Sequence, residues 1–237
     1  MSIPARPLHR VFTAVPPRYD LVNRIITWGM DQRWRHAAAR QCLLTNPRRI
    51  LDIGCGTGDL IIEIARIAGS DGAFVGVDYS QPMLRLAIQK ARQSRLGSRI
   101  AFVHADIADL PFPDRSFDCV AISFAFRNLT YMNPIAQRHL DEVLRVLAPG
   151  GSYVIVESSQ PDHGLIRRLF HLYLRQLVPR VGYWLTGNQS AYRYLAESAA
   201  NFYTPNEVRK MLLQAGFHQV AYRPLFFGAA GLHLATK

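Results

Sequence analysis

Two periodicities alternate through the middle of this chain. Ile50, Leu51 and Ile53 form a short apolar run with the character of a buried parallel strand. Leu60, Ile61, Ile62, Ile64, Ala65, Ile67 and Ala68 then recur at helical spacing. The exchange of run for stripe repeats downstream. It predicts strands at 50–53, 73–77, 100–104, 117–123 and 152–157, with helices at 59–68, 81–94 and 133–147. Such alternation builds a mostly parallel sheet with helices on both faces. The joints carry suitable turn chemistry. Ser80 ahead of Pro82 can cap a helix, Asp114-Arg115-Ser116 leads into a strand, and Pro149-Gly150-Gly151 separates a helix from a strand.

The flanks read differently. Pro4, Pro7, Pro16 and Pro17 keep the first stretch irregular. A helix follows from Tyr19 to Trp28 with Leu21, Val22, Ile25 and Ile26 on one face. A second, capped by Asp31, runs to about Leu44 and stops at Asn46-Pro47. After Ser159, residues 163–184 are mostly helical. Leu165, Ile166, Leu169, Phe170, Leu172, Tyr173 and Leu177 make an apolar stripe, with Arg167, Arg168, His171 and Arg175 assigned to the other side. A further helix covers 189–200. Thr204 and Glu207 form a capping box that opens the last helix, and Gly216 ends it. Residues 217–223 and 226–236 close the chain as a strand pair. The reading is one domain over 1–237: an N-terminal helical cap (1–47), a core (48–159), a helical insertion (160–202), and a C-terminal helix with a strand pair (203–237).

Composition sharpens this. A chain of 237 residues, 49% hydrophobic, suits one large α/β unit. The net charge is +11, nearly all from arginine, since Lys90, Lys210 and Lys237 are the lysines. Basic excess admits an anionic partner, either nucleic acid or lipid headgroups. No basic stripe with interleaved aromatics is present, so no nucleic acid is expected. Cys42, Cys55 and Cys119 are odd in number and widely spaced, which predicts reduced thiols and a cytoplasmic location. No Cys/His cluster has metal-site spacing. Residues 1–15 lack the apolar core of a signal peptide. The longest stretch free of Asp, Glu, Lys and Arg, Pro224–Thr236, is short of the about 20 residues a membrane span needs. Membrane contact is therefore expected to be peripheral, at the inner face, through the helix at 163–184. The same stripe could instead serve a homodimer.

Candidate chemistry begins where the first strand meets its helix. Gly54, Gly56 and Gly58 let the backbone turn and expose bare main chain to a ligand. The helix start behind them offers N–H groups to a negative group. Asp78 closes the second strand, where a dinucleotide fold places an acid on ribose hydroxyls. The spacing G-x-G-x-G is not the dinucleotide fingerprint. With Asp52 in front, the run resembles the D-x-G-x-G-x-G loop of S-adenosylmethionine-dependent methyltransferases. Asp106 after the third strand and Asp118 in the fourth complete the order of a Rossmann-like class I methyltransferase core, a seven-stranded sheet with an antiparallel C-terminal strand.

Segments outside that core resemble one branch, the C-methyltransferases of ubiquinone and menaquinone biosynthesis. Val11-Phe12, Tyr19-Asp20-Leu21-Val22-Asn23 and Trp34 look like the family's N-terminal signature. Residues Ala121 to Asn128 look like its I-S-F-G-L-R-N segment, and Arg145 to Gly151 with Glu157-Ser158-Ser159 like R-V-L-K-P-G-G…E-x-S. Tyr192 to Ser198 match Y-R-Y-L-A-E-S. Val22, Asp31, Ala125, Phe126 and Ala148 depart from the family pattern.

The resemblance implies S-adenosylmethionine as cofactor. It implies that the loop Gly54, Cys55, Gly56, Thr57 and Gly58 holds the methionine part, with Asp52 either helping through loop hydrogen bonds or only fixing the turn. Asp78 with Tyr79 would take the ribose, Met83 would flank the adenine, and Asp106 with Ile107 would meet its edge. Ser123 sits on the same side. On the acceptor side, Arg127 offers a permanent charge to a developing oxyanion and Asn128 can orient a hydroxyl. Tyr19 and Asp20 would close over the site. The implied acceptor is a prenylated demethylated quinol, benzoquinol or naphthoquinol, methylated on a ring carbon. Competing readings are a methyltransferase for another small aromatic or lipid, a nucleic-acid methyltransferase, a non-catalytic subunit of a quinone-synthesis assembly, and a dinucleotide oxidoreductase.

Overall fold

The computed structural model describes residues 19–69, 72–187 and 189–237. The Val11-Phe12 segment and the prolines at 4, 7, 16 and 17 lie outside the described residues. Seven strands form one sheet in the order β3-β2-β1-β4-β5-β7-β6. These are β1 (Arg49–Ile53), β2 (Ala73–Asp78), β3 (Ile100–His104), β4 (Phe117–Ser123), β5 (Leu147–Ser158), β6 (Gln219–Leu225) and β7 (Ala230–Thr236). Strands β1 to β5 pair in parallel, and β7 runs antiparallel between β5 and β6. In β1, alternate residues feed opposite cores. Ile50 joins Trp34, Ala38, Ile61 and Val154 on one face, whereas Leu51 and Ile53 join Phe126, Leu140, Tyr153 and Leu212 on the other. A strand buried on both faces carries apolar residues on both, as Ile50, Leu51 and Ile53 do around Asp52.

The helices are α1 (Tyr19–Ile26), α2 (Met30–Cys42), α3 (Asp59–Ile67), α4 (Gln81–Gln93), α5 (Phe126–Thr130), α6 (Ala136–Val146) and α7 (Gly164–Leu172). After a π-helical turn at Tyr173–Leu177 come α8 (Val178–Thr186), α9 (Gln189–Ala200) and α10 (Pro205–Ala215). Helices α2, α3 and α4 contribute to the core on one face, and α5, α6 and α10 to the other. Helix α2 is thus built into the layer, while α1 joins a third cluster in which Val22 meets Leu174, Val178, Tyr192 and Ala196. No helix among the described residues is long and apolar enough to cross a membrane.

Several local expectations are corrected. Asp31 does not cap α2. Gly29, at φ 72°, precedes the helix, and Asp31 lies inside it, ion-paired to Arg35 at 2.6 Å. The expected helix 133–147 begins at Ala136, and its end goes to β5. There Leu147 pairs with Phe117, and the Gly150 N–H donates to the Lys237 carbonyl. The short helix α5 was not foreseen. The expected strand 226–236 is interrupted at its start, because Phe226 and Phe227 take left-handed φ of 44° and 55° in a tight turn.

The largest correction concerns 163–184. Leu165, Leu169 and Leu172 are exposed at 58–60%. Arg167 stays exposed and donates to the Pro161 carbonyl, and His171 Nε2 lies 2.8 Å from Gln160 Oε1. Phe170, Tyr173 and Leu174 pack inward, so the stripe is divided between protein and solvent. Pro179 has no N–H for the ladder, which accounts for the change of helical register ahead of it.

Candidate active site

The carboxyl edge of the sheet gathers the loop between β1 and α3. Gly54, Gly56 and Gly58 have φ of 60°, 55° and 82°, a region that glycine enters without strain. A Cβ on Gly54 would stand 3.0 Å from that of Ala125, so the loop and the end of β4 touch there. A Cβ on Gly56 would meet nothing within 4 Å, so the middle of the loop faces open space. Helix α3 has no side-chain cap at its start, leaving its first N–H groups available to a carboxylate. Cys55 pins the loop from beneath, its N–H donating to the Val77 carbonyl at 2.9 Å. Burial pushes its thiol up, so it stays neutral.

Three acids surround this loop in different ways. Asp78 accepts from the Gly56 N–H at 2.8 Å and the Ser80 N–H at 2.7 Å, one on each oxygen. Burial raises its pKa, against the pull of those donors. Its remaining lone pairs suit vicinal hydroxyls. Asp52 is fully buried, and both its oxygens lack a hydrogen bond of ordinary geometry. Burial pushes its carboxyl well above the usual range, while the Arg35 charge pulls it down. A carboxyl sealed in this way, with the Ile61 N–H beside it, can brace the base of the loop. Asp106 is exposed, with one oxygen on the Ala108 N–H at 2.9 Å as a loop cap. Ile107 is buried near Gly54, and Met83 is buried at 3% exposure. Tyr79 is half exposed, and its carbonyl lies 2.8 Å from His104 Nε2. The residues present fit S-adenosylmethionine: main chain and a helix start for its carboxylate, and Asp78 for its ribose.

The N-terminal helices are fastened to the loop through Asp20 and Thr57, which the sequence places at the site, and through Lys90, Asp59 and Arg35, which sequence reasoning passed over. Thr57 donates to Asp20 on α1 at 2.8 Å. Lys90 on α4 reaches Thr57 at 2.8 Å and both Asp20 and Asp59 at 2.6 Å. Asp20 therefore stands at the cofactor loop. Tyr19 is the first residue of α1; its side chain lies outside the described residues. On α2, Arg35 bridges Asp31 and, at 3.8 Å, Asp59, and its guanidinium lies 5.3 Å from the centre of the Phe124 ring. Apart from the Asp31–Arg35 pair, one helical turn apart, these partners are distant in sequence, so no local pattern announced them.

The acceptor side corrects one expectation. Arg127 is not a free cation. Its Nη1 lies 2.9 Å from Glu157 at the end of β5 and 3.1 Å from Ser158 Oγ, and its backbone N–H donates to the same carboxylate at 3.0 Å. Both side chains are buried, so the pair stitches β4 to β5, and the charge that Arg127 could lend to an oxyanion is compensated. The signal for this was the acid of the Glu157-Ser158-Ser159 segment. Asn128 is half-buried in α5, and Ser123 Oγ is buried without a partner. Tyr194 lies within electrostatic reach of Arg127. Phe124, at φ 56°, meets Trp34 at 5.8 Å, and Trp34 meets Phe226 at 6.3 Å, an aromatic wall beside the loop. Phe126 is fully buried edge-on to Tyr153 and Phe202, so its departure from the family pattern belongs to the core.

Comparison with known proteins agrees with this geometry. The ubiE/COQ5 methyltransferase family matches residues 2–237. A protein of Deinococcus radiodurans named demethylmenaquinone methyltransferase is 41% identical over 97% of this chain and 92% of its own length. The ubiquinone/menaquinone biosynthesis C-methyltransferase UbiE of Geobacter sulfurreducens is 37% identical over 96% of this chain and 87% of its own. The fold resembles a crystal structure of a SAM-dependent methyltransferase from Aquifex aeolicus, with TM-score 0.64 and 16% identity, over 96% of this chain and 97% of that one.

Proposed function

This chain belongs to the ubiE/COQ5 methyltransferase family, and from that membership we propose that it methylates a ring carbon of a prenylated demethylated naphthoquinol in respiratory quinone biosynthesis. It is an S-adenosylmethionine-dependent methyltransferase. The observation that carries the substrate is the 41% identity, over nearly the whole chain, to a protein named for demethylmenaquinone. When bound, the cofactor supplies an electrophilic methyl group on a sulfonium. A hydroquinone ring is electron-rich at carbon and needs chiefly to be placed and kept from water.

The chain's own residues suit that task. Phe124, half-buried just past β4, offers apolar ring surface to an acceptor, and Trp34, buried in the core, backs it. Asn128 can orient a ring hydroxyl. The Arg127–Glu157 pair holds the ends of β4 and β5 in register beneath it. The reading places the enzyme on the cytoplasmic side, where its three thiols remain reduced.

The test is direct. The protein is incubated with methyl-labelled S-adenosylmethionine and, separately, a demethylated naphthoquinol and a demethylated benzoquinol. Label should appear on a ring carbon of the naphthoquinol at the higher kcat/KM. Preference for the benzoquinol would overturn the substrate, and label on oxygen would overturn the reaction.

A further inference from the structure

The exposed leucines of α7 need an explanation, because an ordinary surface helix turns such a stripe inward. Leu165, Leu169 and Leu172 stand on one side of α7, and Trp184 near the end of α8 is 84% exposed. Helix α1 continues the pattern. Val22 packs inward, while Leu21 and Ile25 are exposed and Trp28, just past the helix, is 81% exposed. The two elements are neighbours, since Tyr173 of the π turn donates its hydroxyl to the Ile26 carbonyl and Val22 shares a cluster with Val178.

The charge around this face is one-sided. Residues 163–196 contain no Asp or Glu and five arginines, of which Arg168, Arg175 and Arg180 are exposed around the π turn and its flanking helices. Leucine and tryptophan interleaved with arginine make an interfacial helix face, apolar enough to enter headgroups and basic enough to be drawn to them. We propose that α7, α8 and α1 form a docking surface for an anionic lipid membrane. A second copy of the chain fits less well, because a symmetric contact would bring two sets of arginines together with no acid between them. RNA would satisfy the arginines but leave the leucines in water.

The surface goes beyond the substrate reading and also explains how a prenylated acceptor could be reached. Helix α1 carries the exposed Leu21 at one position and, at the preceding one, Asp20 bonded to Thr57 of the cofactor loop. The docking face and the site therefore share an element.

The test uses the full chain and vesicles of phosphatidylglycerol or phosphatidylcholine without quinol, so it is independent of which acceptor is methylated. The protein should float with the anionic vesicles and far less with the zwitterionic ones. Each arginine at an anionic surface is worth about fivefold in partitioning, so Arg168→Glu with Arg175→Glu should lower it by at least about 25-fold. Leu169→Glu with Leu172→Glu should lower it comparably, leaving Tm and the affinity for S-adenosylmethionine unchanged. Failure to float, or flotation indifferent to either double variant, overturns the proposal. So does a fall of Tm in the leucine variant, which would reveal a protein partner for that face. Concentration-dependent dimerisation lost in the same variant, or competition by RNA that depends on the arginines and not the leucines, would reassign the surface.

Discussion

Asp78 holds the backbone of the loop it borders, taking one N–H on each oxygen from Gly56 and Ser80. Replacing it therefore loosens the loop and removes the proposed acceptor for the ribose. Asp78→Ala should weaken S-adenosylmethionine binding by roughly 1.5–3 kcal/mol, the scale of a hydrogen bond to a charged group. Titration calorimetry reads it, and an unchanged Kd would separate Asp78 from the cofactor. Arg127 acts through a different balance. In Arg127→Ala the Glu157 carboxylate stays buried without its cation, and breaking such a pair costs about 3–5 kcal/mol. A urea midpoint should fall accordingly, and Arg127→Met with Glu157→Gln should recover most of it. Intact stability with lost turnover would instead return the guanidinium to the acceptor. These two residues mark what sequence could tell. The position of Asp78 beside the loop follows from the end of a strand and a run of glycines, both local. The fate of Arg127 depends on an acid from another strand, which only the folded sheet brings within 2.9 Å.

At the scale of elements, strands were the most legible because their apolar residues fall in short runs between turn signals, and β1, β2, β3 and β4 lie where those runs predict. Helices were legible in position and less so in orientation. A 3.6-residue period gives the axis of a stripe, and only packing decides whether it faces protein, as α7 shows. Close approaches were invisible too. Gly182 reads as an indifferent residue in a helix, yet a Cβ there would lie 2.1 Å from Tyr192 Cγ. Glycine is what lets α8 and α9 touch. Gly182→Ala raises local helix propensity by up to about 1 kcal/mol, but the overlap should reverse the sign, at about 1–3 kcal/mol of destabilisation. Thermal denaturation should show a lower Tm. A raised Tm would mean that Tyr192 can turn aside at no cost.

The whole molecule is a two-faced sheet with a satellite, and the satellite is the weaker part. The sheet cores hold Ile, Leu, Phe and Tyr side chains, whereas the cluster of α1, α8 and α9 relies heavily on Ala196, Ala199 and Ala200. Apolar burial scales with area, so α1 should open at lower free energy than β1 or β4. One polar knot joins the satellite to the cofactor loop: Asp20 and Asp59 on Lys90, with Thr57 between them. A ligand that favours the closed loop adds stability by mass action, about 2.7 kcal/mol at a hundredfold excess over Kd. Through the knot, part of that should pass to α1. Hydrogen exchange should therefore show slower exchange in α1 when S-adenosylmethionine is added. In Lys90→Met that gain should shrink, while protection of the loop itself persists. Equal gains in α1 for both proteins would mean that the helix responds to the cofactor without the knot. Fast exchange of β1 alongside α1 would mean that satellite and sheet open as one unit.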